Sequence, residues 1–150
     1  MRICQYLLDE RVAFEEMTHA PAFTSARLAR SLRVSGRQVM KSVLLKGPGG
    51  DLLAVLPASD AVDLARLGVA LGGEVRLATV DEMTERFSDC EWGALMPFGR
   101  LVGIPTILEA SVSADATVIF EAQRHAVAIR MSCRDYIRLE GPRRLSFAKP

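Results

Sequence analysis

The hydrophobic positions of this chain switch between helical and extended spacing several times. Ile3, Leu7 and Leu8 recur at i, i+4 and i+5, which predicts a short helix over residues 2 to 10 with all three on one side. "VAFEEMT", residues 12 to 18, predicts a strand. His19-Ala20-Pro21 breaks it, because proline fixes its own φ and has no N–H to donate. Thr24 or Ser25 then suits the N-cap of "SARLARSLRV". On that helix Leu28 and Leu32 turn inward, while Arg27, Arg30 and Arg33 step by three around an exposed face. The clearest signal covers residues 39 to 58. Two runs rich in Val and Leu flank Gly47-Pro48-Gly49-Gly50, predicting a β-hairpin with a connection slightly longer than two residues.

"DAVDLARLGVALGG", residues 60 to 73, is amphipathic and stops at its glycine pair. "EVRLA" predicts a short strand, and Thr79 with Glu82 forms a capping box for a helix over residues 80 to 87. "GIPTILEA", "ATVIFEA" and "AVAIRMS" predict three more strands. Ser132 and Asp135 open a last helix, "CRDYIRLE", which Gly141-Pro142 ends. The tail "RRLSFAKP" carries no strong pattern and is expected to be loosely held. Interleaved helices and hairpins predict an α/β fold: one domain over residues 1 to 150, with a mixed, largely antiparallel sheet flanked by helices.

Composition agrees with one packed core: 150 residues, 49% hydrophobic and 25% charged. No run of 18 apolar residues offers a membrane span, and the N-terminus turns polar too early for a secretory signal, so a cytoplasmic protein is expected. Cys4, Cys90 and Cys133 are scattered and odd in number, and His19 and His125 lie far apart. Neither a disulfide framework nor a metal site is expected, and no cofactor fingerprint is present.

Net charge is +1, but its distribution is uneven. Residues 17 to 50 contain no Asp or Glu, yet hold Arg27, Arg30, Arg33, Arg37, Lys41 and Lys46. Such a stretch suits an anion-binding face, or an ordinary solvated surface. Lys41 opens the hairpin strand, where a lysine can hold a phosphate as a point charge or simply face water at an edge. "CEWGALMPFGR", residues 90 to 100, is the other candidate. Gly93 and Pro97 bracket a shaped loop whose backbone N–H groups can face a ligand, although a plain surface turn uses the same residues. Cys90 beside it reads more simply as a small buried hydrophobe than as a nucleophile. No G-x-S-x-G elbow is present.

Taken in order, His19-Ala20-Pro21, "VMKSVLLK", "LAVLPA", "EVRLAT", "GALMPFG" and "HAVAIRMS" resemble the YbaK family, also called the prolyl-tRNA-synthetase-associated or editing-domain family. The resemblance spans roughly residues 15 to 140. Its most specific elements are the hairpin lysine and the G-x-x-x-P-F-G loop.

The resemblance implies an aminoacyl-tRNA deacylase that hydrolyses the ester of tRNA mischarged with a small amino acid. Its partners are then aminoacyl-tRNA and, in some arrangements, an aminoacyl-tRNA synthetase. Carried over by position, Lys41, Gly93 and Pro97 are implied in catalysis. His19, Ala94, Phe98, Gly99 and His125 are implied at the substrate, and Arg27, Arg30, Arg33 and Arg37 on tRNA. Trp92, Glu109 and Gln123 depart from the pattern, where a smaller aliphatic residue, Asp and Gly are common. A non-catalytic tRNA- or ligand-binding regulator with the same fold stays open as an alternative, as does a hydrolase of another activated ester.

Overall fold

The computed structural model describes residues 2–19 and 25–150. Ala20, Pro21 and Thr24, at the expected break and cap, lie outside the described residues. Two sheets form the frame. In the larger, β2 (Met40–Gly47) and β3 (Gly50–Pro57) make the expected hairpin. It continues through β5 (Arg76–Leu77) on one side, and through β6 (Thr106–Glu109) and β9 (Arg143–Leu145) on the other, in the order β5-β2-β3-β6-β9. The β3–β6 and β6–β9 pairings are parallel and the rest antiparallel, so the sheet is mixed. The smaller sheet is antiparallel, with β8 (Val127–Ser132) between β1 (Phe14–Thr18) and β7 (Thr117–Glu121). A parallel bridge, Val39 to Ile119, joins the two sheets.

Side chains on β2 and β3 alternate between two cores, as a pleated strand requires. Met40, Leu44, Leu53 and Val55 face one core, shared with β7, β8, the helix α1 (Arg2–Asp9) and the helix α5 (Cys133–Glu140). Leu45, Leu52, Ala54 and Leu56 face the other, closed by Leu67 of the helix α3 (Leu64–Leu71) and by Phe147. Burial on both faces explains why "LLAVLP" reads as a continuous apolar run. Leu28 and Ala29 of the helix α2 (Ser25–Ser31) pack on Val39, Ile119 and Ala128, forming a third, smaller cluster across the junction of the sheets.

Local signals translate directly. Thr79 and Glu82 form both halves of a capping box at the start of α4 (Val80–Arg86), Asp63 caps α3, and Ser132 caps α5.

Several details differ from expectation. Leu8 is 61% exposed, because α1 turns a further 100° per residue beyond the buried pair Ile3 and Leu7. The helix α2 ends at Ser31, and Arg33 lies past it with φ +57°, so it does not share the helical face of Arg27 and Arg30. Gly47 pairs with Gly50, so the hairpin connection is only Pro48-Gly49. Ala61 and Val62, expected in the helix of residues 60 to 73, instead form a short strand, β4.

The tail is not loose. Ala148–Lys149 form β10 against β4, β9 extends the main sheet, and Phe147 is fully buried between them. Glu109 secures this arrangement. Its Oε1 accepts the N–H groups of Phe147 (2.9 Å) and Ala148 (3.0 Å), and its Oε2 accepts that of Ser111 (2.7 Å). Burial alone would raise its pKa, but these donors outweigh it and hold the carboxyl at about 2. The departure at Glu109 is thus a structural clasp. No helix among the described residues is long and apolar enough to cross a membrane.

If the tail closes the second core, Phe147→Ala should destabilise the fold by about 3–5 kcal/mol, as for other fully buried Phe residues. Urea unfolding measures this. A loss within about 0.5 kcal/mol, the range of surface substitutions, would return the tail to a loose end.

Candidate active site

The loop of residues 90 to 100 is exposed at one end and buried at the other. Glu91, Trp92 and Gly93 face solvent, with Trp92 61% exposed, whereas residues 94 to 99 are buried. Phe98 anchors the inner end. Its ring makes edge contacts with Tyr6, Phe120 and Tyr136 at centroid distances of 5.7, 5.9 and 5.1 Å. Tyr136 donates its buried hydroxyl to the carbonyl of Pro97 at 2.7 Å. Gly99 N–H donates to Thr106 Oγ1 at 3.1 Å, and a Cβ at Gly99 would come within 2.6 Å of that oxygen and 2.7 Å of the Ile104 carbonyl. No other residue fits there. Ala94, Phe98 and Gly99, expected at the substrate, are enclosed. Pro97 is buried with them.

The outer end is held from β7 and the turn that follows it. Gln123 adopts φ +68°, the left-handed angle that explains why glycine suits this position. Its backbone carbonyl accepts Glu91 N–H (2.8 Å), its side-chain nitrogen donates to Asp89 Oδ2 (2.9 Å), and its side-chain oxygen accepts the N–H of Ile3 at the start of α1 (2.8 Å). One side chain thus ties the loop to the N-terminal helix. His125, 5% exposed, reaches the Trp92 carbonyl through Nε2 at 2.5 Å, and its Nδ1 faces Glu121 Oε2 at 3.0 Å.

Gly93 sits on this support with φ +82°. A Cβ there would lie 3.6 Å from His125 Cε1, an ordinary contact, so the left-handed angle is what selects glycine. Some of the loop's own N–H groups are committed: Ala94 donates to Glu91 O at 3.0 Å, and Gly99 to Thr106 Oγ1. The N–H of Gly93 meets no acceptor among the described residues. Cys90 itself is a poor nucleophile, since burial pushes its thiol up to about 11.

Lys41 lies near the junction of the sheets. Two residues beyond the Val39–Ile119 bridge on each strand, Lys41 and Glu121 project to the face that carries Val39 and Ile119. Lys41 is half-buried, and burial lowers its pKa while Asp60 acts in the opposite direction. His19 follows β1 and donates its backbone N–H to Ala126, next to His125. Arg27, Arg30 and Arg33 are exposed on and beyond α2. Arg37 is exposed too but paired with Asp60 at 3.1 Å.

The fold therefore brings Gly93, His125, His19 and the outer loop to one side, with Lys41 and α2 on the sheet junction nearby. Sequence reasoning missed Glu121 and misjudged Gln123. The signal for Glu121 was a lone acid on an otherwise apolar strand, four residues before a histidine. A separate cleft, lined by Arg2, Lys46, Glu82, Arg86 and Leu101, is crossed by ion pairs from Arg2 to Asp89 and from Lys46 and Arg86 to Asp51, so its charges are already matched.

Residues 19–139 match the family model of the aminoacyl-tRNA editing domain, and the chain belongs to that family. Its structure is similar to the crystal structure of hypothetical protein APE2540, with TM-score 0.90 and 17% identity over 99% of this chain and 100% of that one. It is also similar to a candidate trans-editing enzyme for prolyl tRNA synthetase, with TM-score 0.81 and 21% identity over 99% and 96% of the two chains. A candidate signal transduction protein from Marinobacter aquaeolei VT8 contains the same fold, with TM-score 0.77 and 19% identity over all of this chain but 31% of that longer one.

Gly93→Ala should cost about 1–2 kcal/mol of stability, the penalty for forcing an L-residue into the left-handed region. Gly93→Asn should lose less, since asparagine tolerates that angle better. Thermal or urea unfolding of the pair checks this; equal stability of all three proteins would show that the angle is not maintained in solution.

Proposed function

We propose that this chain acts as one editing domain over its whole length, a YbaK-like aminoacyl-tRNA deacylase working in trans on tRNA that carries the wrong small amino acid. One observation carries the reading beyond family membership. Gly93 is exposed, left-handed and backed by a buried histidine, and its N–H meets no acceptor among the described residues. That is the form of a preorganised donor for a developing oxyanion.

An aminoacyl ester is already activated, so its hydrolysis asks mainly for a positioned water and stabilisation of negative charge on the carbonyl oxygen. The buried Pro97-Phe98-Gly99 end keeps the loop from relaxing as that charge develops. In this reading Gly93 N–H faces the ester carbonyl, His19 flanks the amino acid, and His125 supports Gly93 from behind. The family resemblance adds the tRNA's own 2′-hydroxyl as an aid to the attacking water. Lys41 holds the phosphate of the terminal nucleotide as a point charge. Its partial burial favours this, because a half-desolvated ammonium gains more from an anion than an exposed one does. Arg27, Arg30 and Arg33 meet phosphates of the acceptor stem, while Arg37 contributes less because Asp60 already pairs with it. A synthetase that supplies the mischarged tRNA is a natural partner.

Release of amino acid from a panel of tRNAs mischarged with small residues tests the reading, and absence of turnover on all of them would favour a binding protein without catalysis. Lys41→Ala should lower deacylation by about 10- to 100-fold, the worth of one charge-assisted contact, with the folded state retained. Unchanged turnover would remove Lys41 from the site. Replacing Arg27, Arg30 and Arg33 together by Ala should weaken tRNA binding and flatten its dependence on salt by about one unit of slope per lost phosphate contact. Identical affinity and slope would make α2 an ordinary solvated surface.

A further inference from the structure

We propose that Glu121 is a positioning residue: through His125 it fixes the plane of the Trp92–Gly93 peptide and so aims the N–H of Gly93 at the substrate. The inference rests on the deacylase reading for what that N–H does, but the positioning itself is a property of this chain alone.

Glu121 ends β7 on the face opposite Val118 and Phe120, and both it and His125 are 5% exposed. The hydrogen positions follow from the partners. A carbonyl oxygen only accepts, so the 2.5 Å contact with Trp92 O requires a hydrogen on His125 Nε2. Nδ1 would then be a bare lone pair in the neutral ring, yet it stands 3.0 Å from Glu121 Oε2. The two atoms are not aligned as a full hydrogen bond, yet two lone pairs repel at that distance in a buried site, so a proton shared between them is the favoured arrangement. Whether it sits on the carboxyl or on the ring, Nε2–H stays directed at Trp92.

The consequence passes along the peptide bond. No peptide in the described chain is cis, and in a trans peptide the C=O and N–H point in opposite directions. Pulling the Trp92 carbonyl toward His125 therefore turns the Gly93 N–H away from it, outward from the protein. The ring also backs the glycine closely, with Cε1 3.6 Å from where a Cβ would stand.

The charges around the pair set when the shared proton is present. From the loop, Glu91 Oε2 accepts the His125 backbone N–H at 3.3 Å and discourages a second negative charge on Glu121. Arg130 of β8, paired with Glu15 of β1 at 3.5 Å, Lys41 of β2 and His19 after β1 are charged or titratable groups on neighbouring elements, with Glu16 of β1 and Lys46 of β2 further along the same strands. Burial is the main influence on Glu121 and raises its pKa from 4.5 to about 7, against the pull of His125. Because the folded value is the higher one, the stability that the proton confers is complete below 4.5 and lost as pH rises through about 7. Above that, the carboxylate draws the ring's one hydrogen to Nδ1, Nε2 is left bare toward the Trp92 carbonyl, and the hold loosens.

Two variants separate positioning from packing. In Glu121→Gln the amide donates to Nδ1 and cannot titrate, so the hold persists at every pH. In Glu121→Leu the ring loses its partner at Nδ1, and only the Trp92 carbonyl is left to orient it. Single-turnover deacylation and 15N NMR of the His125 ring, both from about pH 5.5 to about 8.5, provide the readouts. Near pH 6 the Gln variant should stay within about threefold of wild type, and the Leu variant should fall about 10- to 100-fold with tRNA affinity unchanged. The wild-type rate relative to that of the Gln variant should drop as pH passes about 7. By NMR, below about pH 7 Nε2 should carry hydrogen in wild type and the Gln variant, and above it only the wild type should pass that hydrogen to Nδ1.

Superimposable pH profiles for wild type and Gln, or an Nε2 without hydrogen below about pH 7, would overturn the proposal. If the Leu variant does not fold, the Gln profile and the wild-type spectrum still decide it. If the wild-type protein deacylates nothing, the functional reading fails while the spectra still test the positioning.

Discussion

Phe98 is the point on which the arrangement depends. Its ring lies where α1, β7 and α5 converge, with Tyr6, Phe120 and Tyr136 packed edge-on around it. Edge-to-face packing of this kind is directional as well as apolar, so it fixes the orientation of the ring and of the backbone that carries it. Pro97 and Gly99 on either side are bonded to Tyr136, 39 residues on, and to Thr106, seven residues on. A loop anchored this firmly at one end has few ways to move at the other. That is how a Gly-containing segment, which would otherwise be among the more mobile parts of a protein, comes to hold a backbone donor in a defined direction.

The support at the exposed end is polar. Gln123 and His125 stand close together after β7, and between them they bind the backbone of Asp89, Glu91 and Trp92. Each of these contacts is buried or half-buried, where an unmade hydrogen bond costs more than in water. The outer end is therefore held by a small network that senses proton occupancy, and the inner end by packing that does not. A change of pH near neutrality should act on the first and leave the second in place.

Electrostatics changed most between chain and fold. The acid-free segment from residue 17 to residue 50 looks uniformly basic in sequence. In space, Lys46 meets Asp51 and Glu82 at 2.7 and 3.4 Å, and Arg37 meets Asp60. The acids come from later elements, so part of the basic stretch is neutralised by folding.

What the sequence determined by itself is everything that depends on neighbours within a few residues. The capping box of Thr79 and Glu82, the caps Asp63 and Ser132, the glycine stop after α3 and the hairpin from Met40 to Pro57 all rest on contacts of short range, and each was legible as a pattern. The motif Gly93 to Pro97 was legible as a special loop for the same reason. Tertiary structure alone decided the rest. "RRLSFAKP" has no internal pattern because its order comes from β4, β6 and Glu109, which lies 38 residues before Phe147. Gln123 reads as a departure until its left-handed angle and its bond to Ile3, 120 residues away, are seen. Glu121 reads as a strand acid until β7 buries it against His125 and the turn carries that ring 33 residues back to Trp92. Partners so far apart leave no periodicity in the chain.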